Sequence, residues 1–143
     1  MESELVNVFG ALGAGFMVLW LILMMFAIIM VFVYVYMSFA YMSLGKKTKD
    51  PMYGLAWIPA VGPLLIANRA SGMHWWPLLL MIVPMIPVVN FLSLITSPVL
   101  LVFSIIWHWN MFEKIGKPNW WAILLIVPLV NLVIIGIAAW SRD

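Results

Sequence analysis

The stretch "KPNWWAILLIVPLVN", residues 117–131, decides how this chain is interpreted, because it places a proline and an asparagine inside a strongly apolar run. A very similar stretch, "MHWWPLLLMIVPMIPVVN", occupies residues 73–90. Both contain paired tryptophans, an aliphatic run and a closing Pro-x-x-Asn. A looser third copy, residues 45–63, reads "GKKTKDPMYGLAWIPAVGP". The chain therefore contains an internal repeat.

The composition around this repeat indicates a membrane protein. The 143 residues are 66% hydrophobic and 8% charged, with a mean hydropathy of +1.14. Soluble domains are roughly 45–50% apolar and about 25% charged, and a small soluble domain leaves much of its surface in water. We therefore expect a single membrane domain, residues 1–143, of the all-α integral class. The absence of cysteine excludes disulfides, thiol nucleophiles and cysteine-ligated metals.

Apolar runs between polar loops predict about four transmembrane helices and one shorter segment. Residues 52–67 contain two prolines and two glycines and are shorter than the roughly 20 residues of a full span, so we predict a re-entrant or interfacial segment there. The turn signal "TSP" at residues 96–98 separates the second predicted span from the third. The predicted spans are residues 5–44, 75–95, 99–112 and 120–140.

The distribution of basic residues predicts the orientation. Cytoplasmic loops are enriched in Lys and Arg, so the Lys46–Lys49 loop should be cytoplasmic and the N-terminus outside. If residues 52–67 dip into the membrane and return, the following spans leave both termini outside, with Arg142 as the one basic residue on that side. A five-span layout is the alternative. The lysines expected to set orientation and meet anionic lipid headgroups are Lys46, Lys47, Lys49, Lys114 and Lys117.

The repeated motif, Gly-Lys-Pro-x-Trp-Trp followed by aliphatic residues and Pro-x-x-Asn, resembles a family of small uncharacterised prokaryotic multi-span membrane proteins. The match is strongest over residues 116–131 and fair over residues 71–90, where "SGMH" replaces Gly-Lys-Pro-x. With residues 45–63 it covers about half of the chain. The resemblance implies a multi-span fold in the prokaryotic cytoplasmic membrane, and it implies no activity for particular residues.

The proline and asparagine of the motif are the main polar features of the predicted spans. A proline inside a helix leaves the carbonyl four residues earlier without its partner and bends the helix, and for Pro128 that carbonyl belongs to Leu124. Asn131 lies on roughly the same face, and Pro87 with Asn90 repeats the arrangement. Because lipid offers no hydrogen bonds, we expect the asparagines to bond to each other or to a second copy. A polar solute site at the membrane midplane is the alternative.

Small residues near the start of the first span predict close helix packing. Gly10 and Ala14 are four residues apart, as are Ala11 and Gly15. Small residues at this spacing let a second membrane helix approach closely. The other interpretation is simply a glycine-rich helix start.

Two histidines are the candidate ligands for a cofactor. His74 and His108 each adjoin tryptophans, as histidines at headgroup level do, so we place both at the membrane interface. Ligation of haem or a metal by this pair is the competing interpretation. All acidic residues fall in termini or loops, which disfavours proton-coupled transport through buried carboxylates.

Taken together, these features predict a non-enzymatic membrane protein that acts as a structural or accessory subunit of a homo-oligomer or larger membrane complex. Catalysis requires convergent acid, base or nucleophilic groups, and the sequence suggests none. We expect lipid and other membrane subunits as partners, no nucleic acid and no resident cofactor. The alternatives are a small channel or transporter built on the midplane prolines and asparagines, and a haem- or pigment-holding subunit.

Overall fold

The computed structural model describes residues 1–142, and these form helices without a strand, which confirms the all-α prediction. Two stretches, Glu2–Lys47 and Asn90–Lys114, are long and apolar enough to cross a membrane. Short 3₁₀ segments cover Tyr53–Trp57, Trp76–Met81, Val83–Met85 and Asn90–Leu92. The α-helices are α1 (Glu2–Lys47), α2 (Gly62–Ser71), α3 (Ser93–Lys114), α4 (Trp121–Leu124) and α5 (Pro128–Trp140).

The chain divides into two compact units, of which the first, Met1–Val35, is the N-terminal part of α1. Every residue from Met1 to Phe32 is exposed. Around Gly10 and Gly15, the described residues place no other atom within 4 Å of where a Cβ would be. The close packing predicted for this region therefore stays a prediction about a neighbouring molecule.

The second unit, from Tyr36 onwards, has a hydrophobic core. The C-terminal part of α1 contributes to it together with α2, α3 and α5, because each presents one apolar face to the others. The largest fully buried apolar side chains in this core include Leu44, Ile66, Trp107, Met111, Phe112 and Ile135.

Each copy of the sequence repeat begins a hairpin within this second unit, and the α-helix at or after the end of the copy completes it. A short arm of mostly 3₁₀ turns leads to a proline, where the chain breaks, and an α-helix follows. We name the hairpins A (residues 50–71), B (residues 74–114) and C (residues 118–141); they return through α2, α3 and α5 respectively.

The three breaks have the same backbone geometry. The residue before the proline is extended in every hairpin, with φ and ψ of −70° and 120° at Ile58, −94° and 112° at Ile86, and −84° and 117° at Val127. The proline ring clashes with a helical residue before it, so the extended conformation follows from the sequence. The N–H groups of these residues close 3₁₀ turns on the carbonyls of Leu55, Val83 and Leu124.

The proline of hairpin C therefore ends one helix and begins another, where the sequence analysis predicted a bend in one continuous helix. The carbonyl of Leu124, which we expected Pro128 to leave without a partner, accepts the N–H of Val127 at 3.1 Å. The predicted span over residues 120–140 is thus divided into α4 and α5.

Two other predicted boundaries differ from the structure. The turn expected at residues 96–98 lies inside α3, because Pro98 falls in the second turn of that helix and removes only the bond to Leu94. Residues 75–95 do not form a continuous α-helix. Their prolines interrupt the backbone ladder, and short 3₁₀ segments take its place before α3 begins.

The helix ends of the second unit meet at one end of it. Nζ of Lys47, at the end of α1, donates hydrogen bonds to the carbonyls of Ala138 and Ser141, each at 2.8 Å. Nζ of Lys114, at the end of α3, donates to the carbonyl of Ala70 at 3.3 Å. Ammonium groups at helix C-termini are stabilised by the helix dipole and satisfy terminal carbonyls.

This arrangement corrects the predicted position of the C-terminus. An unbroken span over residues 120–140 would carry the chain away from the Lys46–Lys49 loop. Hairpin C instead reverses at Pro128 and brings Ser141 back beside Lys47. All seven basic residues, Arg142 included, therefore lie at or just after the C-termini of α1, α2, α3 and α5.

Candidate functional site

The asparagine of hairpin C satisfies a carbonyl that the break exposes. Nδ2 of Asn131 donates to the carbonyl oxygen of Leu125 at 2.9 Å. In hairpin A the equivalent residue, four after the extended residue, is Gly62. A Cβ on Gly62 would lie 2.7 Å from the carbonyl carbon of Ala56, which corresponds to Leu125. The side-chain amide of Asn131 and the bare Gly62 thus face equivalent peptide groups, those of Leu125 in hairpin C and Ala56 in hairpin A.

Asn90, the equivalent residue of hairpin B, is placed differently. It is exposed, and its Oδ1 accepts a long hydrogen bond of 3.4 Å from Oγ of Ser93. Because Asn90 and Asn131 each bond within their own hairpin, the hydrogen bond expected between them is not formed within the chain. A bond from Asn90 to a second copy stays a prediction.

An inner cavity of about 190 Å³ lies between α1, α2, α3 and hairpin C. The hydroxyl of Tyr41 lies 2.6 Å from Nε2 of His108, and Nδ1 of His108 lies 2.7 Å from the carbonyl oxygen of Ser104. A carbonyl oxygen can only accept, so Nδ1 carries the hydrogen. In the neutral ring, Nε2 therefore accepts a hydrogen bond from the hydroxyl of Tyr41. The polar groups lining the cavity come from Tyr41, Ser104, His108 and Asn131.

His108 is buried inside the protein, and its predicted depth at the membrane interface stays a prediction. The residue is 4% exposed and lies in the core of the second unit. Since both ring nitrogens have hydrogen-bond partners, a metal or haem iron would have to replace one of them. His74, the other predicted ligand, is exposed. Within residues 1–142, no group of three or more His, Cys, Asp or Glu side chains is placed to hold a metal ion.

Asn131, which lines the inner cavity, has one side-chain atom without a hydrogen-bond partner among the described residues. Oδ1 of Asn131 is buried and has no partner among the described residues. The amide nitrogen of the same side chain is held by Leu125, which fixes the direction of the oxygen. The cavity is otherwise mostly apolar in its lining.

A second site, the basic cleft, lies where the helix ends meet and has a volume of about 490 Å³. Arg69 binds Asp50 in a bidentate ion pair, through Nε at 2.7 Å and Nη2 at 2.9 Å. Oδ1 of Asp50 also accepts the backbone N–H of Met52 at 2.9 Å. The hydrogen bonds from Arg69 hold the pKa of the Asp50 carboxyl below its ordinary value, and Asp50 raises the pKa of Arg69. The polar lining includes Lys49, Asp50, Asn68, Arg69, His74 and Lys114.

Lys49 holds an unusual backbone conformation at the edge of this cleft. Its φ is +58°, in the left-handed region, just after the end of α1. The corresponding residues after α2 and α3 are Gly72, with φ of +71°, and Gly116, with φ of +74°. A residue with a Cβ is less stable in this conformation than glycine by roughly 1 kcal/mol. An unstrained glycine therefore precedes hairpins B and C, whereas a strained lysine precedes hairpin A.

The lysines predicted to set orientation have distinct local roles. Lys47 and Lys114 donate to backbone carbonyls at helix ends. Nζ of Lys46 lies 5.0 Å from the ring centroid of Tyr53, as in a cation–π contact. The ammonium of Lys49 has no hydrogen bond or ion pair with any described residue. Lys49 is thus the lysine most available to a ligand in the cleft.

No known protein family, curated protein or solved structure matches this chain. The resemblance of the repeat to a family of small prokaryotic membrane proteins therefore stays a prediction. The described residues are all-helical, and two of their helices are long and apolar enough to cross a membrane.

Proposed function

We propose that this chain is an integral membrane protein that serves as a non-enzymatic structural or accessory subunit of a homo-oligomer or larger membrane complex. The observation that carries the proposal is the exposed N-terminal part of α1. Residues 8–35 contain no charged residue and no Ser, Thr, Asn or Gln, and every residue up to Phe32 is exposed. A helix that is apolar on all sides is stable in lipid or among other membrane helices, and not in water.

The length of this apolar helix supports a protein partner in addition to lipid. Residues 8–35 extend for about 42 Å at the helical rise of about 1.5 Å per residue, whereas the hydrocarbon layer is about 30 Å thick. Tilt alone would have to reach about 45°, beyond the roughly 0–40° seen for membrane helices. Contact with another subunit can cover the excess apolar surface, and the small side chains of Gly10 and Ala14 allow close approach there.

The basic residues support the proposed orientation. With all seven Lys and Arg residues at the helix ends of the second unit, the positive-inside rule places those ends in the cytoplasm. Glu2 and Glu4, at the start of α1, then lie outside. In this layout the C-terminus is cytoplasmic, and Arg142 no longer lies on the opposite side from the other basic residues.

The mass of the protein in lipid nanodiscs tests the proposal. We expect the wild-type chain of 16.3 kDa to form a complex of at least two subunits, with itself or with a co-purifying protein. The double substitution Gly10→Leu with Ala14→Leu should lower that mass, because leucine keeps the helices apart. The control Ala27→Leu adds the same side chain at another exposed position of α1 and should leave the mass unchanged. A wild-type monomer without partners would contradict the assembly role.

The inner cavity favours one alternative function, the passage of small neutral solutes. Asn131 lines this cavity, and its Oδ1 is buried without a partner among the described residues. Proteoliposomes assayed for glycerol permeability test this alternative. Faster entry than in protein-free vesicles, lost in Asn131→Leu while the oligomer stays intact, would favour a transporter. Equal entry into both kinds of vesicle would reject it for this solute.

A further inference from the structure

We propose that the basic cleft binds a phosphate group, which goes beyond the structural role proposed above. Lys49, Arg69 and Lys114 bring three positive charges to its lining, and Asp50 brings one negative charge. The cleft therefore has an excess of two positive charges. Phosphate oxygens accept charge-assisted hydrogen bonds from both ammonium and guanidinium groups.

Asp50 holds the guanidinium of Arg69 in one orientation and leaves part of it available to such an anion. The carboxylate is nearly buried, with a side-chain exposure of 5%, and both of its oxygens are occupied by Arg69. The ion pair uses Nε and Nη2 of the guanidinium and leaves Nη1 outside it. Arg69 is thus held in one orientation with donors still available to a ligand.

The strained backbone of Lys49 also favours a ligand in the basic cleft. Glycine occupies the corresponding position after α2 and α3, and glycine would relieve the strain after α1 as well. The side chain of Lys49 is kept at a strained position, and its ammonium has no partner in the described residues, so the ammonium is available to a ligand. Because Lys49 lines the cleft, we assign its ammonium to binding the ligand there.

The size and apolar wall of the cleft define the ligand class further. A volume of about 490 Å³ falls within the roughly 300–1,000 Å³ of small-molecule sites and exceeds what a phosphate ion fills. Met73 and Trp75 supply an apolar part of the lining. The chemistry fits a phosphate ester, whose source is either a phospholipid headgroup or a soluble metabolite. The lipid source rests on the proposed membrane location, whereas the soluble source does not.

Thermal unfolding midpoints in nanodiscs test the two sources in separate arms. In the lipid arm, discs of phosphatidylcholine are compared with discs that also contain phosphatidylglycerol, and retained phosphatidylglycerol is measured by native mass spectrometry. In the soluble arm, glycerol 3-phosphate is titrated in phosphatidylcholine discs against sodium chloride of equal ionic strength. We expect a higher midpoint in one arm, because a ligand that binds the folded state stabilises it.

The variant Lys49→Gly separates binding from folding. We expect roughly tenfold weaker binding, as for the loss of one charge-assisted hydrogen bond, together with a ligand-free midpoint equal to or above that of the wild type. The control Lys46→Gln removes the same charge one turn earlier, outside the cleft, and should leave binding unchanged.

Two results would overturn the proposal. One is the absence of any phosphate-specific shift in both arms. The other is equal weakening by Lys49→Gly and Lys46→Gln, which would mean diffuse attraction and not a site. If the chain does not enter nanodiscs at all, the membrane proposal fails, and the soluble arm run without lipid still tests the cleft.

Discussion

The hydroxyl of Tyr41 lies 2.6 Å from Nε2 of His108, and this pair joins the C-terminal part of α1 to α3 inside the core. Tyr41 is 2% exposed and His108 4% exposed. A polar pair buried to this extent is stable only when its groups satisfy each other. The carbonyl of Ser104 completes the arrangement by accepting the hydrogen of Nδ1.

Removing the hydroxyl of this pair should destabilise the protein measurably. We expect Tyr41→Phe to lower the free energy of unfolding by about 1–3 kcal/mol, because it leaves a buried imidazole nitrogen without a partner. The control Tyr53→Phe removes a hydroxyl from an exposed ring and should change stability by less than about 0.5 kcal/mol. Denaturant titration in detergent micelles measures both. Similar losses for the two variants would contradict the role assigned to the pair.

The two asparagines of the repeat should differ in their effect on stability. Asn131→Leu removes the donor to the carbonyl of Leu125 and should lower the free energy of unfolding by about 1–3 kcal/mol. Asn90→Leu changes an exposed residue with one long hydrogen bond and should lower it by less than about 0.5 kcal/mol. The same denaturant titration compares them. A larger effect at Asn90 would show that this residue has a partner outside the chain.

Gly62 should not tolerate a side chain. A Cβ there would clash with the carbonyl group of Ala56, so we expect Gly62→Ala to destabilise the protein by about 1–3 kcal/mol through overpacking. Gly54, in the arm of the same hairpin, has open space around its Cβ position, and Gly54→Ala is the matched control. Thermal unfolding compares the two alanine variants. Equal midpoints would mean that hairpin A does not close as described.

The ion pair of the basic cleft predicts a pH dependence of stability. The folded-state pKa of Asp50 is lowered by Arg69, so its stabilising contribution is present above the unfolded pKa of about 3.9. That contribution is lost as the pH falls from there through the lower folded pKa. The unfolding midpoint of Asp50→Asn should therefore lie below that of the wild type at pH 7, and the gap should close in strong acid. A gap that is independent of pH would contradict the assignment.

Local sequence was sufficient to locate the chain breaks, but it did not determine whether the chain reverses its direction after each break. Pro59, Pro87 and Pro128 force the residue before them out of the helical conformation, which is a purely local effect. Whether the chain then bends or reverses depends on tertiary contacts, such as those of Lys47 with Ala138 and Ser141 at the end of hairpin C. Within hairpin C, Asn131 bonds to the carbonyl of Leu125, whereas we expected it from the sequence to bond to Asn90 or to a second copy.

The inner cavity and the basic cleft are formed by residues far apart in sequence, so neither site could be predicted from single residues. Tyr41 and His108 are 67 residues apart in sequence. Tyr41 lies in an apolar helix rich in aromatic residues, so the sequence does not distinguish it from its neighbours. Asp50 and Arg69 were both visible as polar residues flanking an apolar segment. Their opposite charges at the two ends of residues 52–67 were a usable signal that the segment returns to its starting point.

We propose that the apolar part of α1 crosses a bilayer and that all three hairpins end on one side of it. Because the chain has no cysteine, single-cysteine variants can be labelled with an impermeant maleimide from either side of sealed vesicles. The exposed positions Ser3, Glu113 and Arg142 report the start of α1, the end of hairpin B and the end of hairpin C. We predict that Glu113→Cys and Arg142→Cys react from the cytoplasmic side and Ser3→Cys only from the opposite side. Reaction of Arg142→Cys from the same side as Ser3→Cys, or of all three from one side, would contradict the claim.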